Sequence, residues 1–219
     1  MTIRHVVWDW NGTLLADQWA VLGALNVLVE QLGRPPVDMA TYRALYTRPV
    51  RVFYERLLDR AIDDQTWDHI DEVFHRAYFD LVHRAPLDPD ARPAMRHVAA
   101  SGRTQSLLSM ARHDHLLEMV AHHDIDHHFE RVDGVRGVGG GHKEAWLRAH
   151  LDALSVASAD EVLVVGDALD DAVAATAVGA PVVLFDGGSH PVEVLHEAGV
   201  PVVHSLAAAV RMAGSERVG

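Results

Sequence analysis

The sequence predicts an α/β fold: a Rossmann-like parallel sheet core with helices on both faces, plus an inserted all-helical cap domain. Three observations carry this. Short apolar runs of strand length alternate with longer helical patterns. The runs are apolar throughout rather than at every second residue, as strands covered on both faces require. Finally, roughly 95 residues of helical pattern separate the first run from the second, far more than one crossover helix needs.

The first strand is read at His5 to Trp8. After it, Trp19, Leu22, Leu25 and Val29 recur at helical spacing until Gly33 and the Pro35-Pro36 pair stop the pattern. Val52, Leu57 and Leu58 mark a second helix, and Ile70, Val73, Phe74, Ala77, Tyr78 and Leu81 a third. The stretch Pro86 to Pro93, alternating Asp with Pro, reads as the return linker. The expected cap is therefore 16–88, and the core 1–15 with 89–219. Hinge mobility is expected about Ala16 to Gln18 and Asp88 to Asp90. Further strands are read at Ser106 to Leu108, Val162 to Val165, Val182 to Phe185 and Val200 to Val203. His122, His123, His127 and His128 offer metal-ligand atoms. However, Ile125 and Phe129 have the spacing of buried positions, which leaves these histidines on the wet side.

Composition narrows the function. The 219 residues are 49% apolar, enough for a sizeable core. A net charge of −12 repels a nucleic-acid backbone or an anionic membrane, so neither is an expected partner. No apolar run approaches a bilayer span and the start MTIRHVVWD lacks signal-peptide regions, so a soluble cytoplasmic protein is expected. Without cysteine there is no disulfide, thiolate metal site or cysteine nucleophile. Lysine occurs once, at Lys143, so chemistry that needs a primary side-chain amine has one candidate.

Three of the expected strands run into a polar residue where an open parallel sheet places its ligand crevice: Asp9, Ser109 and Asp167. Lys143 follows the glycine-rich stretch Gly137 to Gly141 and opens a helical pattern with Trp146, Leu147 and Leu151. Asp170 and Asp171 complete an acidic cluster with Asp167. Singly, such residues are helix caps and turn residues. Together they suit phosphoryl transfer, in which a carboxylate attacks phosphorus, acidic oxygens hold a divalent cation, and Ser and Lys grip phosphate oxygens.

In these motifs the chain resembles the haloacid dehalogenase superfamily, over essentially its whole length, and within it the phosphoglycolate-phosphatase-like members with a helical C1-type cap after the first strand. Asp9-Trp10-Asn11-Gly12-Thr13-Leu14 is similar to the family's first motif, Ser109 to the second, Lys143 to the third, and Gly166-Asp167-Ala168-Leu169-Asp170-Asp171 to the fourth. The resemblance implies that Asp9 is the nucleophile. It also implies that Asp9, the Asn11 carbonyl and Asp167 bind Mg2+, with Asp171 as a further ligand or a support, and that Ser109 and Lys143 bind phosphoryl oxygens. The expected partner is a small phosphorylated acid or sugar.

Asn11 departs from the pattern. Phosphatases of the family usually carry Asp here as the acid and base, and an amide cannot shuttle that proton. Slow turnover of alkyl phosphates is expected, and also deamidation at Asn11-Gly12 on ageing. Three alternatives follow. Phosphonoacetaldehyde hydrolases share a similar beginning but need a cap lysine, which is missing. Dehalogenation is disfavoured by the intact acidic fourth motif. A protein that binds a phosphorylated ligand without turnover stays open. In the cap, Arg48 or Arg51 can reach an anionic substrate arm or can be solvated. Oligomeric state cannot be read.

Overall fold

Strands β1 (His5–Trp8), β2 (Thr104–Arg112), β3 (Val132–Val135), β4 (Val162–Gly166), β5 (Val182–Phe185) and β6 (Val202–Val203) form one parallel sheet in the order β3-β2-β1-β4-β5-β6. The computed structural model describes residues 2–47, 49–137, 142–154 and 156–214. Its chain divides into two compact units, Met1–Ala16 with Leu87–Gly188 and Val192–Gly219, and Asp17–Pro86 with Ser189–Pro191. The sheet belongs to the first. Its order turns back at β1 and β4, so the carboxyl ends of these two strands flank the crevice where open α/β sheets bind ligands.

Residue alternation shows why both faces are covered. Helices α5 (Ala91–Ala100), α6 (His113–His122), α7 (Lys143–Ala153), α8 (Leu169–Val178), α9 (Val192–His196) and α10 (Leu206–Gly214) belong to the same unit, and along each strand successive side chains point to opposite sides of the sheet. Val7, Leu108, Val162 and Val164 pack with Leu147 of α7 and Ala172, Ala174 and Ala175 of α8. On the other side, Trp8 donates its indole N–H to Gln105 (2.9 Å), whose amide donates to the Met95 carbonyl of α5 (3.0 Å). A strand buried on both sides must be apolar almost throughout, which is the pattern of His5 to Trp8 and Val162 to Val165.

The exception on the α7 side is a buried polar chain. His5 meets the hydroxyls of Thr104 (2.6 Å) and Ser106 (2.7 Å), and Ser106 also meets His150 of α7 (2.8 Å). Burial, with His150 nearby, lowers the His5 pKa from 6.5 to about 4. Glu130, 3.9 Å off and exposed, does not reverse this. The unfolded chain therefore takes up a proton below pH 6.5 that the folded chain refuses. Stability is present above pH 6.5 and is lost as pH falls toward 4, by about 3 kcal/mol from His5. Urea unfolding of His5→Asn against wild type checks this: the variant should show a flatter decline between pH 6.5 and 4. Parallel declines would contradict it.

Among the described residues of the second unit are helices α1 (Gln18–Gln31), α2 (Met39–Leu45), α3 (Val50–Leu58) and α4 (Asp64–Val82). Leu25, Leu28 and Val29 of α1 pack with Tyr42, Phe53, Tyr54, Leu58, Ile62, Ile70 and Val73. Asp38 and Asp63 cap α2 and α4 by accepting from the amides of Thr41 (2.7 Å) and Thr66 (2.8 Å). Among the described residues no helix is long and apolar enough to cross a membrane.

Several elements differ from expectation. Strand β2 does not stop at Leu108 but runs to Arg112, with an irregular register against β3 between Leu108 and Arg112. Strand β3 was not anticipated, because Asp133 and Gly134 interrupt its apolar run. Gly134 is required there, since a Cβ would lie 2.6 Å from the Ala111 carbonyl oxygen. Helix α2 was likewise unforeseen: its seven residues carry one short apolar repeat, buried Tyr42 with Met39 and Leu45 packed beside it, too brief to stand out. Helix α5 begins at Ala91, so Pro93 lies in its first turn, where the missing N–H costs nothing. Strand β6 is confined to Val202–Val203 rather than starting at Val200.

Candidate active site

Asp9 follows the last residue of β1, and its amide donates to the Val165 carbonyl of β4 (2.8 Å). The register pairs Trp8 with Leu107 and with Val165, so Asp9, Ser109 and Asp167 stand at neighbouring positions toward the carboxyl ends of β1, β2 and β4. Asp171 lies on the first turn of α8 and accepts from the Ala168 amide (3.0 Å). The helix N-terminus favours negative charge there. Carboxylate oxygens of Asp9, Asp167 and Asp171 lie within 4.8 Å of one another, all buried.

Lys143, the first residue of α7, is also buried. Its ammonium hydrogen-bonds Asp9 and pairs with Asp171 at 2.5 Å. Burial disfavours the charged amine, but Asp171 and Asp9 outweigh it and raise the Lys143 pKa. Burial pushes the Asp9 carboxyl up to about 6 against the pull of Lys143, and Asp171 adds repulsion. One ammonium cannot neutralise three carboxylates in so small a volume. The cluster is short of positive charge, and a hard divalent cation with oxygen ligands is the chemistry that fits it.

Backbone and small residues set the carboxylates in place. Gly12 takes φ +74° in the turn after Asn11 and donates to the Leu15 carbonyl (3.0 Å). A Cβ on Gly12 would sit 2.6 Å from an Asp167 oxygen, and one on Gly188 only 1.7 Å from it. A Cβ on Gly166 would lie 2.2 Å from the Asp171 carboxyl carbon. Thr13, fully buried, donates its hydroxyl to Asp167 (3.3 Å). The turn also bears on deamidation: the Gly12 nitrogen, which must attack the Asn11 amide, is buried and hydrogen-bonded. The fold therefore opposes the ageing reaction that the bare Asn-Gly sequence suggests.

The other nominated residues are placed as follows. Ser109 lies inside β2, in its irregular stretch, and its hydroxyl oxygen accepts from the Ala111 amide (3.0 Å). Asn11 is half-buried and pairs with Leu15 as an isolated bridge. Arg51 is in the helical unit, where its guanidinium pairs with Asp64 (2.8 Å) and hydrogen-bonds the Ile62 carbonyl. Arg48 lies outside the described residues, as do residues 138–141 of the glycine-rich stretch. Of the four clustered histidines, His127 alone joins a potential metal-binding group among the described residues, with Asp124 and Asp126, all exposed. Ile125 is buried as expected and Phe129 only half so.

Thr13, Gly166 and Gly188 also serve the carboxylates, in roles that the sequence does not display. Thr13 and Gly166 fall inside the first and fourth motifs. Gly188 follows β5 in the run Asp186-Gly187-Gly188, which reads as an ordinary turn.

Residues 3–179 match the model of a hydrolase family, the haloacid dehalogenase-like hydrolases. A phosphoglycolate phosphatase from Pseudomonas fluorescens is 24% identical over 215 residues, covering 94% of this chain and 78% of that protein. A haloacid dehalogenase-like family hydrolase from Streptococcus pneumoniae superposes with a TM-score of 0.82 at 16% identity, covering 96% of this chain and 98% of the other. A chain described as a predicted phosphoglycolate phosphatase from Haemophilus somnus gives 0.77 at 15% identity, with 97% and 98% covered. With a family model spanning most of the sequence, and the same fold in these solved structures, the chain belongs to the haloacid dehalogenase-like hydrolases.

Proposed function

We propose that the protein is a Mg2+-dependent phosphatase that hydrolyses a small phosphorylated metabolite through an aspartyl-phosphate on Asp9. The observation that carries this is the buried cluster of Asp9, Asp167 and Asp171 with Lys143 bound to two of them. Asp9, the Asn11 carbonyl, Asp167 and Asp171 would hold Mg2+, which supplies neutralising charge for the bound phosphate.

Asp9 attacks phosphorus, and the bond to the leaving oxygen breaks with its electron pair on that oxygen. Water then attacks phosphorus, the bond to Asp9 breaks, and phosphate leaves with Asp9 restored as a carboxylate. Lys143 and Ser109 hold the phosphoryl oxygens through both steps. Asn11 neither gives nor takes a proton, so the leaving oxygen departs without a protein acid, and the proton from water goes to solvent or to the departed group.

A measurable consequence is that turnover favours acyl and aryl phosphates over alkyl phosphates. The rate along a graded series of aryl phosphates should fall steeply as the leaving group becomes less acidic. A flat series would contradict the role given to Asn11.

The Pseudomonas relative is named for phosphoglycolate, and a small phosphorylated acid or sugar is the substrate class proposed here. Arg48 or Arg51 would meet its anionic arm. Asn11 also favours a second reading, in which a phosphorylated ligand is bound without turnover. A phosphate-release screen over a metabolite panel separates the two: Mg2+-dependent release supports the enzyme, and saturable binding without release supports the binder.

A further inference from the structure

Helix α7 buries Lys143, Leu147 and His150, which at spacings of four and three residues share one face. His150 ties that face to the sheet. Its Nδ1 meets the Asp133 carboxylate of β3 at 2.7 Å and its Nε2 meets the Ser106 hydroxyl of β2 at 2.8 Å. Ser106 in turn meets His5 Nε2 of β1, and His5 Nδ1 meets Thr104.

The proton order of this chain follows from one fixed end. A carboxylate only accepts, so His150 donates from Nδ1 and, being neutral, accepts at Nε2. Ser106 must then donate to His150 and accept from His5 Nε2–H. That leaves His5 Nδ1 to accept the Thr104 hydroxyl. Every polar atom is satisfied in one tautomer of each ring. Arg131, hydrogen-bonded to Asp133, holds the fixed end ionised. Because Ser106 has one hydrogen and bridges both rings, neither imidazole can rotate without leaving a buried group unsatisfied.

We propose that His150 is a positioning residue for Lys143: the chain from Asp133 through Ser106 to His5 locks the roll and height of α7, and so sets where the ammonium meets Asp9 and Asp171. Its catalytic consequence rests on the phosphoryl-binding role given to Lys143, whereas the positioning itself can be read without turnover. Lys143 is the single lysine, so protein labelled at lysine Cε and Nζ gives one side-chain signal.

The test compares wild type, His150→Phe, Asp133→Leu and Asp133→Asn, each loaded with Mg2+. In His150→Phe and Asp133→Leu the Lys143 signal should shift or split, and kcat should fall about 10- to 100-fold, as for an ångström-scale misplacement. Asp133→Asn keeps an acceptor oxygen for His150 and should restore both signal and kcat. Ser106→Ala, which removes one hydroxyl, repeats the test should His150→Phe not fold. A folded His150→Phe with the wild-type Lys143 signal and kcat would overturn the proposal. A shifted signal in a protein whose wild type releases no phosphate would support the positioning and overturn the phosphatase reading.

Discussion

Phosphate release by Asp9→Asn falls to the uncatalysed background, while the fold survives. The amide has the shape of the carboxylate but no nucleophilic oxygen anion, so the phosphoryl acceptor is gone. A loss on the order of 10⁴ or more is expected, as when another covalent nucleophile is removed. Stability should move the other way. Asp9 is one of three buried carboxylates around one ammonium, and burial already raises its pKa to about 6. Lys143 keeps Asp171 as its partner after the substitution. The metal-free variant should therefore unfold at the wild-type temperature or above it. A variant that retains turnover would remove Asp9 from the chemistry.

Asn11→Asp raises kcat, by about 10² to 10⁴ for alkyl phosphates, the usual worth of a well-placed general acid and base. The gain should shrink toward zero for aryl and acyl phosphates, whose leaving groups need no proton. The turn favours a clean result: Gly12 supplies the positive φ and Asn11 only the preceding side chain, so the exchange leaves the backbone unstrained. Steady-state kinetics of both proteins along one leaving-group series measures it. Equal gains on every ester, or none, would show that this side chain does not face the leaving oxygen.

These expectations rest on features that differ in how openly the sequence displays them. The strands β1, β4 and β5 were legible because burial on both faces forces unbroken apolar runs, a signal contained in a few consecutive residues. The nominated Asp9, Lys143, Asp167 and Asp171 were legible because each sits at a strand end or helix start within a motif, and the structure gathers all four. Strand β3 was hidden, because a carboxylate and a glycine are each there for a partner elsewhere: Asp133 for His150, Gly134 for the backbone at Ala111. The same holds for Gly188, whose missing side chain makes room for a carboxylate twenty-one residues earlier in the chain. No local periodicity reports such a need. His5 and His150 carry no local sign of their pairing, because Ser106, which joins them, lies about a hundred residues from one and about forty from the other.

Calorimetric titration with Mg2+ decides whether Asp9, Asp167 and Asp171 form a cation site. Wild type should take up Mg2+ saturably, and uptake should be abolished in Asp167→Asn and sharply weakened in Gly188→Ala, where the new methyl displaces the Asp167 carboxylate. Wild-type protein that takes up no Mg2+, or uptake indifferent to both substitutions, would contradict it.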